Sequence, residues 1–492
     1  SFGIYTVSNR TLKLTAQLYP LYPKETREVR LEIRDGDRWK EIARQNVRDL
    51  GWSTTFRIED WDDTQATRYR LRHGEEASFE GLIRANPKDQ DKIVLAALSC
   101  NSNRDRGLRP EYTENINHQD PDLVFFAGDQ SYDHKQHTAA WLKFGLAFRE
   151  IFRERPCITI VDDHDVGQGN IWGEDGKVAS SPAGDDGGYF YHPEYIKMVE
   201  RQQCAHLPDP YDPTPIKQGI GVYYTNLIYG GIDFAILEDR KFKTGPKGRH
   251  PMKGPRPDHI LDPNYDPEVI DTPGLELLGE RQEKFLADWA DDRDGVSMKA
   301  ILSQTGFCGG AHLHGRHQNR LHADLDSNGW PQSGRNRALR LIQKANAVHV
   351  AGDQHLATLI QHGINEHRDG PWAFVVPAIV NTYYKRWWWP KDKQPGANRD
   401  PDNPLPWTGD YLDGFDNQIT MHAYANPLTP EERKKEESNG LDPKLRWADG
   451  WGVIRFNKPT QEVTFECWPR FADVNQPDAK QFPGWPKTIS LK

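Results

Sequence analysis

The sequence has few cysteines, lacks a long apolar run and carries no excess of positive charge. Five cysteines among 492 residues are too few for a disulfide-stapled scaffold, and their odd number leaves at least one thiol unpaired within the chain. No apolar run reaches the roughly 18 residues that a membrane-spanning helix needs. Lys and Arg total 63 against 72 Asp and Glu, which gives a formal net charge of -9. We therefore expect no transmembrane segment and no specific nucleic acid binding.

The composition also bears on where the protein works. The sequence starts at Ser1 without a Met and without a basic segment followed by an apolar one, which is typical of a mature or trimmed chain. Its 16 Trp, 35 Pro and 41 Gly favour an enzyme with long loops that is secreted or periplasmic. A chain of this length can bury a large core, and we expect a monomer with two domains.

Short runs of alternating apolar and polar residues fill the first part of the chain. Five of them, separated by Pro, Gly, Asp and Asn, are LKLTAQL, EVRLEI, TTFRIE, TRYRLR and SFEGLIR. A period of two residues is typical of strands with one buried face, and this spacing predicts a small all-β sandwich. We place this N-terminal domain at residues 1–88, where a polar connector leads into a different pattern.

From residue 89 onwards, continuous apolar strands alternate with helical patterns. The strands are KIVLAALSC, DLVFFAGD, CITIVDD, IDFAILE, KAILSQT and AVHVAGD. Between several of them lie helical segments such as TAAWLKFGLAFREIF and GERQEKFLADWADD. This alternation predicts an α/β catalytic domain over residues 89–492 whose sheet is covered on its faces. We expect the long loops at residues 245–273 and 391–407 to line a cleft.

Side chains that can bind metal ions follow four of these strands. They are Cys100, Asp129 and Tyr132, the run Asp162-Asp163-His164-Asp165, and Asp353 with His355. Ligands gather at the carboxyl ends of strands in such sheets, so we expect these groups at one edge. Carboxylates packed together are unfavourable unless cations neutralise them. Two metal ions would do so, and they would also lower the pKa of a bound water and clamp a phosphoryl group during in-line attack.

Each of these residues has a simpler interpretation when it is taken alone. A Gly-Asp pair after an apolar strand, as at Asp129 and Asp353, is most often a turn or a helix cap. A single histidine such as His355 is more often structural, and a cysteine that ends an apolar strand, such as Cys100, is usually a small buried hydrophobe. The combination of two such turns with the DDHD run favours the metal site.

The ordered set of motifs ALSC, AGDQSYDH, VDDHDVGQGNIW, ILEDRKFK, GLELLGERQEKFLADWA, ILSQTGF and VAGDQH resembles the alkaline phosphatase D (PhoD-like) branch of the metallophosphoesterases. The resemblance extends over most of residues 1–380. It implies a four-layer α-β-β-α core after the all-β domain, and phosphomonoesterase and phosphodiesterase activity. It also implies export by the twin-arginine route and a centre of Fe(III) and Ca(II) with a tyrosinate ligand to iron, although another divalent pair (Zn, Mn or Mg) would also suit such ligands.

The resemblance assigns roles to individual residues. The iron ligands would be Cys100, Tyr132 and His355; Asp129 would bridge both ions; and Asp163, Asp353 and Asn170 would hold the second, harder cation. Thiolate, phenolate and imidazole suit iron, whereas carboxylate and amide oxygens suit calcium. His164 would stabilise the transition state or act as a general acid, with the orientation of a metal ligand as the alternative.

Two further groups are candidates for substrate binding. Arg240 follows another buried strand, and its guanidinium matches phosphate oxygens; the alternative is an ion pair with Asp239 or Glu238. Trp387 begins a run of three tryptophans that could stack on a sugar or a base, although packing beneath a loop is the simpler explanation. The histidines at residues 312–322 fit no zinc template, so a substrate-facing or solvated loop is expected there.

The sequence departs from the family pattern in the segment that follows the DDH run. Here it is Asp-Val-Gly-Gln-Gly-Asn-Ile-Trp, in which the asparagine, Asn170, is displaced. The departure leaves the second metal and the substrate open. The sequence thus predicts a phosphoesterase that uses a metal-bound hydroxide on a small-molecule or glycan-linked phosphate ester. The alternatives are a hydrolase of the same fold that acts on a polysaccharide-linked phosphate or a sulfate ester, and a glycan-binding protein without activity.

Overall fold

The N-terminal region folds into two antiparallel sheets. The computed structural model describes residues 1–249, 256–312, 320–380, 388–390, 394–426, 435, 438–439 and 448–492. The first seven strands are β1 Phe2–Ser8, β2 Thr11–Gln17, β3 Glu28–Asp35, β4 Arg38–Asn46, β5 Ser53–Ile58, β6 Thr67–His73 and β7 Ala77–Ile83. They pair in the orders β1-β2-β5 and β4-β3-β6-β7. The ring centroids of Tyr5 on β1 and Tyr69 on β6 lie 6.1 Å apart, so the two sheets share a core. The predicted all-β region is present; its boundary at residue 88 stays a prediction.

Strands and helices alternate through the rest of the described chain. The strands are β8 Lys92–Asn101, β9 Leu123–Phe126, β10 Cys157–Thr159, β11 Thr225–Tyr229, β12 Ile232–Ile236, β13 His259–Ile260, β14 Met298–Thr305, β15 Ala323–Asp324, β16 Val348–Gly352, β17 Thr358–His362, β18 Trp372–Val375, β19 Ala378–Val380, β20 Gly409–Leu412, β21 Gln418–Tyr424, β22 Gly450–Asn457, β23 Glu462–Pro469 and β24 Lys487–Ser490. The α-helices are α1 Pro110–Gln119, α2 His137–Ala147, α3 Arg149–Glu154, α4 Pro193–Cys204, α5 Gly279–Asp291 and α6 Gln332–Lys344. Short 3-10 helices lie at Glu174–Gly176, Lys217–Gly219 and Pro267–Ile270.

Two mixed sheets form the larger part of the molecule. The seven-stranded sheet has the order β10-β9-β8-β22-β23-β24, with β19 also paired to β8. Its first three strands are parallel, and the C-terminal strands complete it in antiparallel fashion. The eight-stranded sheet has the order β11-β12-β14-β16-β18-β17-β21-β20, with a parallel centre formed by β12, β14, β16 and β18. A separate pair, β13-β15, lies outside both sheets.

Aromatic side chains join the two large sheets to each other and to helices. Phe234 of the eight-stranded sheet lies 5.9 Å from Phe456 of the seven-stranded sheet, measured between ring centroids. On the seven-stranded sheet, Phe126 also contacts Phe144 of α2 at 5.2 Å. These contacts agree with paired sheets that carry helices, as predicted, and the exact four-layer order stays a prediction.

The core of the N-terminal region continues into the part of the chain that follows it. Phe2 on β1 packs against Trp141 of α2, with ring centroids 5.6 Å apart, and against Phe152 of α3 at 5.5 Å. A Cβ atom at Gly145 would lie 1.9 Å from the Phe2 ring, so glycine is required for this close approach. None of the helices in the described ranges has the length and the apolar character needed to cross a membrane.

Candidate metal centre

The predicted ligands lie where strands of the two large sheets end. Four of them have a left-handed backbone, with φ of 55° at Cys100, 61° at Asp129, 64° at Asp353 and 54° at His355. Non-glycine residues rarely adopt this conformation, which costs free energy and tends to occur at functional sites. The turns redirect the chain at the end of β8, after β9 and after β16, and bring their side chains together.

Asp129 is the residue around which the other candidate ligands are arranged. It is 1% exposed, and its Oδ2 accepts a hydrogen bond of 2.7 Å from the Tyr132 hydroxyl. The Cys100 Sγ lies 3.8 Å from the same oxygen, and the Tyr132 hydroxyl is 3.2 Å from Nε2 of His355. The other carboxylate oxygen, Oδ1, accepts from the backbone N–H of His164 at 3.2 Å. Thiol, phenol, imidazole and carboxylate groups therefore meet at one point.

The ligand atoms fall into overlapping groups, in each of which they lie within 4.8 Å of one another. Among the described residues, the groups at this edge are Cys100-Asp129-His355, Asp129-Asp163-His164 and Asp129-Asp162-Asp163-Asp353. Asp129 belongs to all of them. One group offers sulfur, nitrogen and oxygen, whereas another offers only carboxylate oxygens. The arrangement suits two cations of different preference that share Asp129.

The buried acidic groups of the site favour the binding of cations. Burial raises the pKa of Asp129, and the charges of Asp162 and other neighbouring carboxylates raise it further. Burial likewise raises the pKa of Asp163, Cys100 and Tyr132. Among the described residues, Oδ1 of Asp163 and Oδ2 of Asp162 are buried without a hydrogen-bond partner. Buried carboxylate oxygens without partners are costly, so these residues fit metal ions.

Arg240 forms ion pairs with carboxylates of the site. Its side chain is 3% exposed, and its Nε lies 2.9 Å from Asp162 Oδ1. One terminal nitrogen is 2.8 Å from Asp326 Oδ1, and the other is 3.0 Å from Asp353 Oδ2. The buried guanidinium is thus held by three carboxylates, and its contact with a substrate phosphate stays a prediction. The alternative partners that the sequence suggested, Asp239 and Glu238, are not those carboxylates.

Asn170 contacts a carboxylate outside the groups of candidate ligands at this edge. Its side-chain Nδ2 donates a 2.8 Å hydrogen bond to Asp258 Oδ2, and its Oδ1 is the atom that would bind a metal ion, so the role of Asn170 as a ligand stays a prediction. Asp258 belongs to a separate buried group with His259 and Asp324.

Two residues support the site through contacts that were not predicted. Asp165 accepts hydrogen bonds from the backbone N–H groups of Asp129, Ser131 and Asp162, at 2.8, 3.0 and 3.0 Å. His134 Nε2 lies 2.7 Å from Nδ1 of His164. Both residues lie within the quoted motifs, AGDQSYDH and VDDHD, yet nothing in the sequence indicates their partners.

The strand that carries Asp353 is supported in the same way. The Thr305 hydroxyl donates to Asp353 Oδ2 at 2.7 Å, and Nε2 of Gln354 donates to the same oxygen at 2.6 Å. The backbone N–H of Asp353 donates to the Ser99 hydroxyl at 3.0 Å, and that hydroxyl is 3.1 Å from the Cys100 Sγ. Ser99 therefore links the end of β8 to the end of β16.

Only part of the predicted tryptophan cluster lies within the described residues. Trp387 lies outside the described residues, as do residues 313–319 of the histidine-rich loop. The next tryptophan, Trp388, is 1% exposed and packs against His312, with ring centroids 4.9 Å apart. Its indole N–H donates to the backbone carbonyl of Trp407 at 2.8 Å. Trp388 is thus a packed residue, as the simpler explanation of the cluster proposed.

Comparisons with known proteins found a matching family model and solved structures of similar fold. A family model described as PhoD-like phosphatase matches residues 142–386. The match to the structure of PhoD spans 100% of this chain and 89% of the PhoD chain, with a TM-score of 0.66 and 16% sequence identity. The match to purple acid phosphatase PPD1 from yellow lupin (Lupinus luteus) seeds spans 99% of this chain and 73% of the PPD1 chain, with a TM-score of 0.57 and 13% identity. No curated protein sequence is significantly similar. The chain belongs to the PhoD-like phosphatase family.

Proposed function

We propose that the chain is a phosphoesterase that depends on two metal ions bound around Asp129. The observation that carries the proposal is the membership of Asp129 in every ligand group at the edge, with a mixed group on one side and carboxylates on the other. Family membership supports the phosphatase class. Cys100, Tyr132 and His355 would hold one ion, and Asp163 and Asp353 would hold the second.

The ions would supply positive charge for the phosphoryl oxygens and would lower the pKa of an attacking water. The protein supplies the positions of the groups around them. Arg240 offsets part of the negative charge of Asp162 and Asp353 and fixes both carboxylates, so it acts as a positioning residue. Asp165 fixes the backbone on which Asp129 stands.

His164 is the group we place next to the reacting phosphate. Its Nδ1 is held by Nε2 of His134, and its ring stacks on Tyr132 with centroids 4.2 Å apart. The remaining nitrogen, Nε2, lies 4.0 Å from Asp163 Oδ2 and so faces the carboxylate group. A hydrogen bond from Nε2 to a phosphoryl or leaving-group oxygen would stabilise charge that develops during cleavage.

Three finer features belong to the same proposal. The ligand types favour iron beside Cys100 and Tyr132, and calcium or another hard cation beside Asp163 and Asp353. Phosphate monoesters and diesters of small molecules are the expected substrates, with a glycan-linked phosphate or a sulfate ester as the alternative. The predicted export and the predicted monomeric state rest on the sequence and the resemblance.

The central test replaces Asp129 or Asp353 by asparagine. We expect Asp129→Asn and Asp353→Asn to lose more than a hundredfold in kcat on 4-nitrophenyl phosphate and to bind fewer metal ions, because each substitution removes a charged ligand. Asp233→Asn is the matched control, since Asp233 is also buried but bonds to Asn226 on β11 instead of the site. Normal turnover and full metal content in Asp129→Asn would contradict the proposal.

A second test separates the two ions and the ester classes. If iron is bound by a tyrosinate, the protein is coloured, and Tyr132→Phe should remove the visible absorption band. A colourless, iron-free and fully active protein would contradict the roles of Tyr132 and Cys100. Turnover of aryl phosphate, bis-aryl phosphate and aryl sulfate by the same preparation distinguishes monoesterase, diesterase and sulfatase activity.

A further inference from the structure

A cleft of 670 Å³ lies between the N-terminal all-β region and helix α4, apart from the candidate metal centre. One wall is the turn from Arg48 to Ser53 with the adjoining strands, and the other is α4 with residues 208–210 and 221–223. The turn is held firmly, because Gln202 of α4 donates a 2.8 Å hydrogen bond to the carbonyl of Gly51. A volume of this size is in the usual range of roughly 300–1,000 Å³ for small-molecule sites.

The carboxylates of the cleft already have cationic partners. Asp209 is bound by Lys13 at 3.1 Å and by Arg57 at 2.9 Å. Glu194 is bound by Lys197 at 2.8 Å, and Glu200 is bound by the buried Lys241 at 2.6 Å. The lining residues comprise five cations and three acids, so the cleft is locally positive in a chain whose net charge is -9.

Two arginines that line the cleft, Arg48 and Arg201, form no salt bridge among the described residues. Arg201 of α4 donates to the backbone carbonyl of Leu50, while its Nε is buried without a hydrogen-bond partner. Burial lowers the pKa of Arg201, and the nearby charge of Arg48 lowers it further. Two guanidinium groups that line one cleft without a salt bridge to a carboxylate favour anionic ligands there.

A buried hydroxyl points to the same ligand chemistry. Ser53 is 0% exposed and lines the cleft, and its Oγ has no hydrogen-bond partner within the described ranges. A buried hydroxyl without a partner costs free energy, which an acceptor oxygen from a ligand would offset. Phosphate oxygens accept from hydroxyls and match the planar fork of a guanidinium.

We propose that this cleft binds a small molecule with two phosphate groups, at a site separate from the candidate metal centre. Arg48 and Arg201 each bind phosphate oxygens, and Ser53 donates to one of them. The size of the cleft exceeds what a single phosphate fills, and the side chains of Val222 and Tyr223 offer an apolar wall to the rest of the molecule. The site depends on the positions of the two arginines, and it does not require that the chain is a phosphoesterase.

The test measures binding of methylenediphosphonate, which carries two phosphonate groups on a carbon that hydrolysis does not cleave. In calorimetric titrations of the metal-loaded protein, we expect saturable binding that weakens as salt is added. Binding should persist in Asp353→Asn, and the double variant Arg48→Gln/Arg201→Gln should bind at least tenfold more weakly. The single-group analogue methylphosphonate should also bind at least tenfold more weakly, because it reaches only one arginine.

The control variant Arg38→Gln/Arg340→Gln removes two exposed arginines outside the cleft, and its affinity should stay within twofold of wild type. Four results would overturn the proposal. They are equal weakening in the control variant, loss of binding in Asp353→Asn alone, equal affinity for methylphosphonate, and no saturable binding at a millimolar concentration of the probe. If the Arg201 substitution prevents folding, the single variant Arg48→Gln tests the proposal. Because Arg48 is exposed, its substitution should leave the fold intact and weaken binding of the probe at least threefold.

Discussion

Replacing Arg240 by glutamine separates its role in holding carboxylates from a role in binding substrate. The guanidinium nitrogens lie 2.9 Å from Asp162, 2.8 Å from Asp326 and 3.0 Å from Asp353, and its side chain is 3% exposed. Removal of one partner from a buried ion pair costs about 3–5 kcal/mol. We therefore expect Arg240→Gln to raise the unfolding equilibrium constant of the metal-free protein between about a hundredfold and a few thousandfold.

The assay is urea unfolding followed by tryptophan fluorescence, with and without a chelator. With metal ions bound, Asp162 and Asp353 keep a positive neighbour, so the loss of stability should be smaller than in the chelator. Arg337→Gln is the control, because its 3.0 Å pair with Glu283 is 43% and 20% exposed. Exposed pairs contribute about 0–1 kcal/mol. If Arg240→Gln matches the control in stability but raises KM tenfold with kcat unchanged, the guanidinium binds substrate and the reasoning is refuted.

Three other substitutions test residues that are not candidate metal ligands. His134→Ala should lower kcat at least tenfold with little change in KM, because His164 loses the partner that orients it, and His134→Gln should recover part of the rate. Gly352→Ala should lower kcat at least tenfold, since its Cβ would lie 2.1 Å from the Ser99 hydroxyl. Burial lowers the pKa of His206 from 6.5 to about 3, so only the unfolded chain binds a proton there as the pH falls below 6.5. Stability is therefore lost with falling pH, and His206→Gln should reduce this dependence by about 1.4 kcal/mol per pH unit between about pH 6 and 4.

Each of these expectations has a clear contrary result. A parallel change in KM and kcat, without recovery in His134→Gln, would indicate that His134 only supports packing. Gly310→Ala is the control for Gly352→Ala, because its nearest contact would be at 3.8 Å; an equal loss in both would remove the argument from Ser99. An unchanged pH dependence of urea unfolding in His206→Gln would show that His206 does not resist protonation in the folded protein.

The sequence was most informative where structure is local. Strands such as Leu123–Phe126 and Val348–Gly352 lie within the predicted segments, because continuous apolar runs and the Gly-Asp turns that end them are read over a few residues. The predicted helix TAAWLKFGLAFREIF is present but divides into α2 and α3 at Phe148. The strand ends already placed Cys100 and His355 at one edge of the sheet, and the resemblance then assigned both to the same ion.

Features that depend on distant pairing could not be predicted. Strand β22 pairs with β8, so that Gly452 lies opposite Ala97, and no local pattern indicates such a partner. The contact between Arg240 and Asp326 has the same origin, because Asp326 stands in a loop whose path depends on the whole fold. The sequence suggested the neighbouring Asp239 as a possible partner, whereas the guanidinium forms ion pairs with Asp162, Asp326 and Asp353.

The candidate centre takes its ligands from both large sheets. Cys100 and Asp129 follow strands of the seven-stranded sheet, whereas Asp353 and His355 follow a strand of the eight-stranded sheet. A cation held jointly by Asp129 and Asp353 would therefore act as a crosslink between the two layers, in addition to the apolar contacts and the Ser99 hydrogen bond that join them. Sliding of one layer over the other would then require release of the ion, so the resistance of the protein to heat should depend on its metal content.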